Sequence, residues 1–208
     1  AYEASASDAD LLVMGTHRRH GLRRLWLGAT TQPTLHAATV PVVCVPAVDA
    51  EARLAPQPIP ALREILVATD FSPLANQAIP YAYALVGERG VVHLAHVHER
   101  TVPSPAYAYD DKTGSILGTP EEKAVLDKLK ALVPPEAEKR GVVSRPLVAE
   151  GAKVASTILQ TANRLSVDTI VVGSHGRTGL GKALLGSVAA AVVEGSERPV
   201  FVVRTPRS

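Results

Sequence analysis

The chain repeats itself. Sliding it by 158 residues lays DADLLVMGTHRRHGLRRLWLGATTQ, from Asp8, over SVDTIVVGSHGRTGLGKALLGSVAA, from Ser166, without a gap. Counting residues 8–46 against 166–204 gives 12 identities in 39 positions, among them Asp10, Val13, Gly15, Gly28, Pro41 and Val42 with their twins. Whatever fold the second copy adopts, the first must share its local pattern. The second copy begins near Arg63, and a full first copy would have to begin well before residue 1. Residues 1–46 therefore read as the closing part of a first domain, and 63–205 as a whole second one. Between them, residues 47–62 (AVDAEARLAPQPIPAL) hold three prolines and no period, as a linker does.

The complete copy alternates strand and helix signals. REILVAT, VVHLAHVH, GVVSRPLVAEG, VDTIVVG and RPVFVVR are apolar or β-branched runs, with Pro146 favouring an edge position for the third. PLANQAIPYAYALVGERG, TPEEKAVLDKLKALV, AKVASTILQTANRLS and ALLGSVAAAVVEGS read as helices. Pro80 is a blemish in the first of these. Thr119, Pro120 and Glu122 form a capping box at the start of the second. TVPSPAYAYDDKTGSILG reads as loop. Strands joined through helices require a parallel sheet covered on both faces, so the fold class is α/β, doubly wound and open. The core must be aliphatic, because aromatics are only 4% of the chain.

Composition removes several function classes. A net charge of +2 is too small for bulk binding to nucleic acid or a membrane surface. No apolar run approaches the roughly 20 residues of a membrane span. One cysteine, Cys44, permits no disulfide within the chain and suits a reducing cytoplasm. HRRHGLRR at 17–24 lacks aromatic interleaving and reads as a solvated loop. His96 and His98 share one strand face while His93 takes the other, and two converging histidines do not make a metal site.

The chemistry gathers in GSHGRTGLGKALLGS, residues 173–187, with five glycines in fifteen positions. It follows a buried strand and leads into a helix. Bare backbone amides in a glycine-rich turn, with the positive end of a helix beyond, suit an anion such as phosphate. The alternative is a tight strand-to-helix connection. Gly176–Lys182 satisfies G-x-x-x-x-G-K, but Ala183 stands where a P-loop needs a hydroxyl for Mg²⁺, and no G-x-G-x-x-G is present. No nucleophile-elbow spacing supports a Ser-His-Asp triad.

Gly173-x2-Gly176-x9-Gly186-Ser187 resembles the nucleotide-binding signature of the universal stress protein family. VATDFS at 67–72 and HLAHV at 93–97 resemble its first two strand ends. The resemblance implies a five-stranded sheet in the order 3-2-1-4-5, of the adenine nucleotide alpha-hydrolase-like kind, with ATP, ADP or AMP in the crevice between strands 1 and 4, with or without Mg²⁺. It implies that Asp70 bonds the ribose and that the Val97 backbone meets the adenine. Gly173 and Gly176 would let the loop close over the phosphates, and Gly186, Ser187 and the Val188 amide would cap them. Arg177 and Lys182 are expected as mobile counter-charges and Ala68 as backbone near the ligand. His175 could touch phosphate or solvent. Asp70 could equally serve a turn or helix cap, and both roles could coexist.

In the first copy Arg18 replaces the second glycine, Arg23 replaces Gly181 and Ala29 replaces the serine, so no nucleotide is expected there. The expected function is a stress-response regulatory module acting through adenine-nucleotide occupancy and dimerisation. The alternatives are a slow ATP-hydrolysing or adenylyl-transferring enzyme and a non-binding dimeric scaffold. The resemblance also implies that strand 40–46 lies antiparallel to 199–204, which would leave an apolar edge at 9–15 that associates into at least a dimer.

Overall fold

The computed structural model describes residues 9–16, 30–47, 61–99, 108–110, 115–117, 120–176 and 185–204. The strands are β1 (Leu12–Thr16), β2 (Val42–Pro46), β3 (Glu64–Ala68), β4 (Val91–Glu99), β5 (Ala108–Asp110), β6 (Ser115–Leu117), β7 (Val143–Gly151), β8 (Thr169–Gly173) and β9 (Val200–Val203). The helices are α1 (Thr31–Ala37), α2 (Pro73–Asn76), α3 (Ala78–Leu85), α4 (Pro120–Lys130), α5 (Glu136–Lys139), α6 (Val154–Arg164) and α7 (Ser187–Gly195).

Seven strands form one sheet in the order β1-β2-β9-β8-β3-β4-β7. Within it β7-β4-β3-β8-β9 is the expected 3-2-1-4-5 sequence, all parallel. The two strands of the first copy extend this sheet to seven. β2 runs antiparallel to β9, with Val42 opposite Val202 and Cys44 opposite Val200, as the resemblance implies. β1 pairs β2 in parallel and is the outer strand. β7 is the other outer strand, where Pro146 costs no inner ladder bond.

Alternation along each strand separates two aliphatic cores. Leu66, Ile170, Val172, Val200, Val202, Val42 and Cys44 face one side, where Leu35, Ile158, Ala162, Val192 and Val193 of α1, α6 and α7 cover them. Ile65, Val67, Val171, Phe201 and Val203 face the other, beneath Ala78, Ile79, Ala82 and Tyr83 of α3, Leu129 of α4 and Ala137 of α5. Helices on both faces make the sheet doubly wound.

Several local expectations need correction. The helix expected from Pro73 is two short helices broken at Gln77. Pro80 falls in the first turn of α3, where its missing N–H would have no intrahelical acceptor within α3. The last helix starts at Ser187, so Leu185 and Gly186 of the expected helix precede it, and Ala183 and Leu184 lie outside the described residues. Residues read as loop contain the two-stranded β5–β6 ladder, Tyr109 opposite Ile116. The segment after Lys130 closes into the separate α5. Thr119, the expected cap, lies outside the described residues. Arg140 caps the end of α3 instead, donating to the Tyr83 carbonyl and, at 2.9 Å, to that of Val86. No helix is long and apolar enough to cross a membrane among the described residues.

Candidate nucleotide site

The chain leaving β3 turns to the face carrying α2 and α3, whereas the chain leaving β8 reaches α7 on the opposite face. The neighbouring carboxyl ends of β3 and β8 are thus a topological switch point, where an open α/β sheet has its crevice. Ala68 ends β3 and Gly173 ends β8.

The turn after β3 is held by side chains. Thr69 is 5% exposed, and its Oγ1 accepts the Phe71 N–H at 2.9 Å and donates to Asn76 Oδ1 at 2.7 Å. Its carbonyl accepts His96 Nδ1–H at 2.9 Å. These bonds support Phe71 in the left-handed region, φ 66°, a conformation costly for a bulky residue. The Phe71 ring lies 4.6 Å from that of His96. Asp70 Oδ1 accepts the Ser72 N–H at 2.9 Å, and Ser72 Oγ accepts from Ala75 N–H at 3.2 Å as the cap of α2. Asp70 therefore does serve the turn, which fixes its carboxylate at the crevice.

Across the crevice, a Cβ at Gly176 would come within 2.5 Å of Asp70 Oδ2. Any side chain here would require the Asp70 carboxylate to move aside. Gly173 has a different neighbour: a Cβ there would sit 2.9 Å from Ala75 Cα and 3.0 Å from the Leu74 carbonyl oxygen. Its glycine lets α2 settle against the end of β8. Gly186 donates its N–H to the Ser174 carbonyl at 2.7 Å and is the N-cap of α7 without a side-chain bond. A Cβ on Gly186 would approach that same oxygen to 3.1 Å. Ser187 and Val188, the first two helical residues, are exposed. Their amides begin a helix whose cap offers no side-chain acceptor, so they suit an external anion. Ser174 Oγ and His175 Nδ1 lie 3.0 Å apart.

The family model of the universal stress protein family matches residues 1–46 and 61–204. The chain belongs to this family. A universal stress protein of Mycolicibacterium smegmatis is 30% identical over 205 residues, covering 96% of this chain and 63% of the relative. The chain thus spans less than two thirds of that relative's length. The universal stress protein MJ0577 of Methanocaldococcus jannaschii is 31% identical over 163 residues. The solved MJ0577 structure aligns at TM-score 0.54 and 27% identity, over 71% of this chain and 99% of that one. A universal stress protein structure from Archaeoglobus fulgidus shares the fold at TM-score 0.62 and 23% identity, over 97% of this chain and 63% of that one.

In this universal stress fold, Ala68, Asp70, Gly173, His175, Gly176, Gly186, Ser187 and Val188 all lie around the β3–β8 crevice or at the nose of α7. Val97 lies on the neighbouring β4, two residues past Ala95, the partner of Ala68. Arg177 and Lys182 lie outside the described residues. Sequence reasoning missed Thr69, Asn76 and His96, which shape the Asp70 turn. The signal for Thr69 and Asn76 was local, since a hydroxyl one residue before Asp70 and an amide seven residues on can meet across a turn. Among the described residues no group of three His, Cys, Asp or Glu side chains is placed to hold a metal. His93 is spent elsewhere, its Nε2 2.7 Å from Glu64 Oε2.

Proposed function

We propose that the crevice between β3 and β8 binds an adenine nucleotide, ATP in the first instance, and that occupancy makes the chain a regulatory stress-response module. The observation that carries this reading is the contact of Gly176 with the Asp70 carboxylate, beside the uncapped start of α7. A carboxylate there can accept from ribose hydroxyls, and the Ser187 and Val188 amides with the Ser187 hydroxyl can donate to phosphate oxygens. The intact signature from Gly173 to Ser187 supports the same assignment.

The reading includes at most slow hydrolysis. Asp70 and His175 are the crevice side chains that could act as a base, and each already holds a neighbour: Asp70 Oδ1 accepts the Ser72 N–H and His175 Nδ1 lies 3.0 Å from Ser174 Oγ. Residence in the cytoplasm fits a single buried thiol. Assembly into a dimer or larger is the other part of the proposal, and light scattering reads it: a monodisperse monomer removes that part.

The decisive test is calorimetric titration with ATP, ADP and AMP, with and without Mg²⁺, of the natural chain and of Gly176→Arg. This variant copies the first repeat, where Arg18 stands. We expect binding by the natural chain and a loss of more than about tenfold in the variant, because the new side chain must enter space held by Asp70. Equal affinities would place the ligand elsewhere.

A further inference from the structure

The ladder between β3 and β4 ends on a side chain. In a parallel pair a residue donates its N–H to one residue of the neighbouring strand and accepts, at its carbonyl, from the residue two further on. Thr69 keeps the first half of this pattern, its N–H on the Ala95 carbonyl at 2.9 Å. The second half would bring the Val97 N–H to the Thr69 carbonyl. The His96 ring takes that place, its Nδ1 2.9 Å from the same oxygen. A carbonyl oxygen only accepts, so Nδ1 carries the proton. The Phe71 ring packs against the imidazole at 4.6 Å, and Lys128 of α4 stands over the Phe71 ring.

The consequence falls on Val97. Backbone groups alternate sides along a strand, so the N–H and C=O of Val97 face the way those of Ala95 do, towards β3. β3 ends at Ala68, the partner of Ala95. The Val97 groups therefore point past the end of β3, into the space beside the β3–β8 crevice, as one donor next to one acceptor. Asp70 directly follows the carbonyl that the imidazole holds, so one ring ties the Val97 position to the Asp70 position.

We infer that His96 is a positioning residue that holds the next rung open and thereby sets the base preference of the site. Its ring occupies the Thr69 carbonyl, so the Val97 amide is kept for a ligand instead of closing the ladder. An N–H beside a C=O complements the N1 acceptor and 6-amino donor of adenine. A 6-oxo purine, with a proton on N1, presents the reverse order and meets donor with acceptor wrongly at both places. The strap thus favours 6-amino over 6-oxo purines through Val97, without His96 itself touching the base. The base preference rests on the nucleotide reading above; the open rung is a property of the free chain.

The test compares the natural chain with His96→Ala, His96→Phe and His96→Asn. Phenylalanine keeps a ring against Phe71 without the donor, and the asparagine amide can donate from the Nδ1 position. Exchange of the Val97 amide, resolved by NMR without nucleotide, is read first. We expect fast exchange in the natural chain and in His96→Asn, and slowing by about tenfold or more in the Ala and Phe variants, where Val97 takes the vacated carbonyl. Calorimetric titration with ATP and with inosine triphosphate follows. The Ala and Phe variants should lose about tenfold in ATP affinity and far less for inosine triphosphate, and His96→Asn should restore the ratio. A merely structural role would weaken both ligands together and leave the ratio unchanged. An unchanged ratio, or equal Val97 exchange in the natural chain and both ring-donor-free variants, overturns the inference. Failure of the natural chain to bind ATP overturns the base preference together with the nucleotide reading, while the exchange result still decides the rung.

Discussion

β8 and β1 share Val, Gly and an upstream Asp in the same register, yet Val171 is fully buried and Val13 is 61% exposed. The difference comes from their neighbours. On one face the two strands are treated alike: Leu12 and Met14 pack against the core that holds Ile170 and Val172. On the other face the Tyr81 ring of α3 lies 5.8 Å from that of Phe201 in β9, and Val43 of β2 packs, partly buried, against the same core, whereas Val13 is not among the residues packed there. A pattern of apolar residues specifies which way a side chain points; a second element must arrive before that direction becomes burial.

The contrast can be broken by paired substitutions. The largest effect is expected at the glycines. Gly173→Val forces a branched side chain into the backbone of α2 and should cost about 3 kcal/mol by denaturant unfolding. Gly15→Val should stay within about 0.5 kcal/mol of the natural chain. Equal costs would mean that β1 is already covered in solution. Next come the valines. Val171→Ala should lose about 2 kcal/mol through lost burial and a cavity, and Val13→Ala almost nothing; a thermal melt of each reads the difference.

The smallest effect tests where the two copies agree. Cys44 is 2% exposed and its twin Val202 is fully buried, in one core. Burial raises the Cys44 thiol from 9.0 to about 11. An acid raised on folding stays neutral in the native state, so its contribution is constant below pH 9 and is lost as pH climbs from 9 towards 11. Cys44→Val should change stability by less than about 1 kcal/mol at neutral pH. It should also remove part of the alkaline decline, measured by urea unfolding at pH 7 and pH 10.

Much of this architecture could be read from the residues because the determining signals are local. Strand runs such as EILVA and TIVVG alternate between two cores, and the connections between them carry helical patterns. The antiparallel joint of β2 with β9 was implied by the family resemblance, since the repeat alone sets no direction of pairing. What stayed hidden depends on partners far along the chain. His96 meets the Thr69 carbonyl 27 residues away, and nothing near His96 announces it. Gly173 carried a phosphate-loop expectation from its motif, but its described neighbours, Leu74 and Ala75, belong to α2. The run ALLGSVAAAVVEGS has helical composition throughout, and only the backbone turn at Gly186, ψ 148°, shows that the helix waits until Ser187. The β5–β6 ladder was masked by Ala, Asp and Ser, poor strand formers, in the short runs AYD and SIL.

The antiparallel seam between β2 and β9 also sets directions. Because the seam reverses the sheet, β1 and β2 deliver the chain to the rim opposite the one where β3 and β8 end. An occupant beyond Gly173 and anything held beyond Thr16 would stand on opposite rims, separated by a strand's length of roughly 17 Å. Neither could touch the other, so any message between them would have to pass along the aliphatic strands themselves.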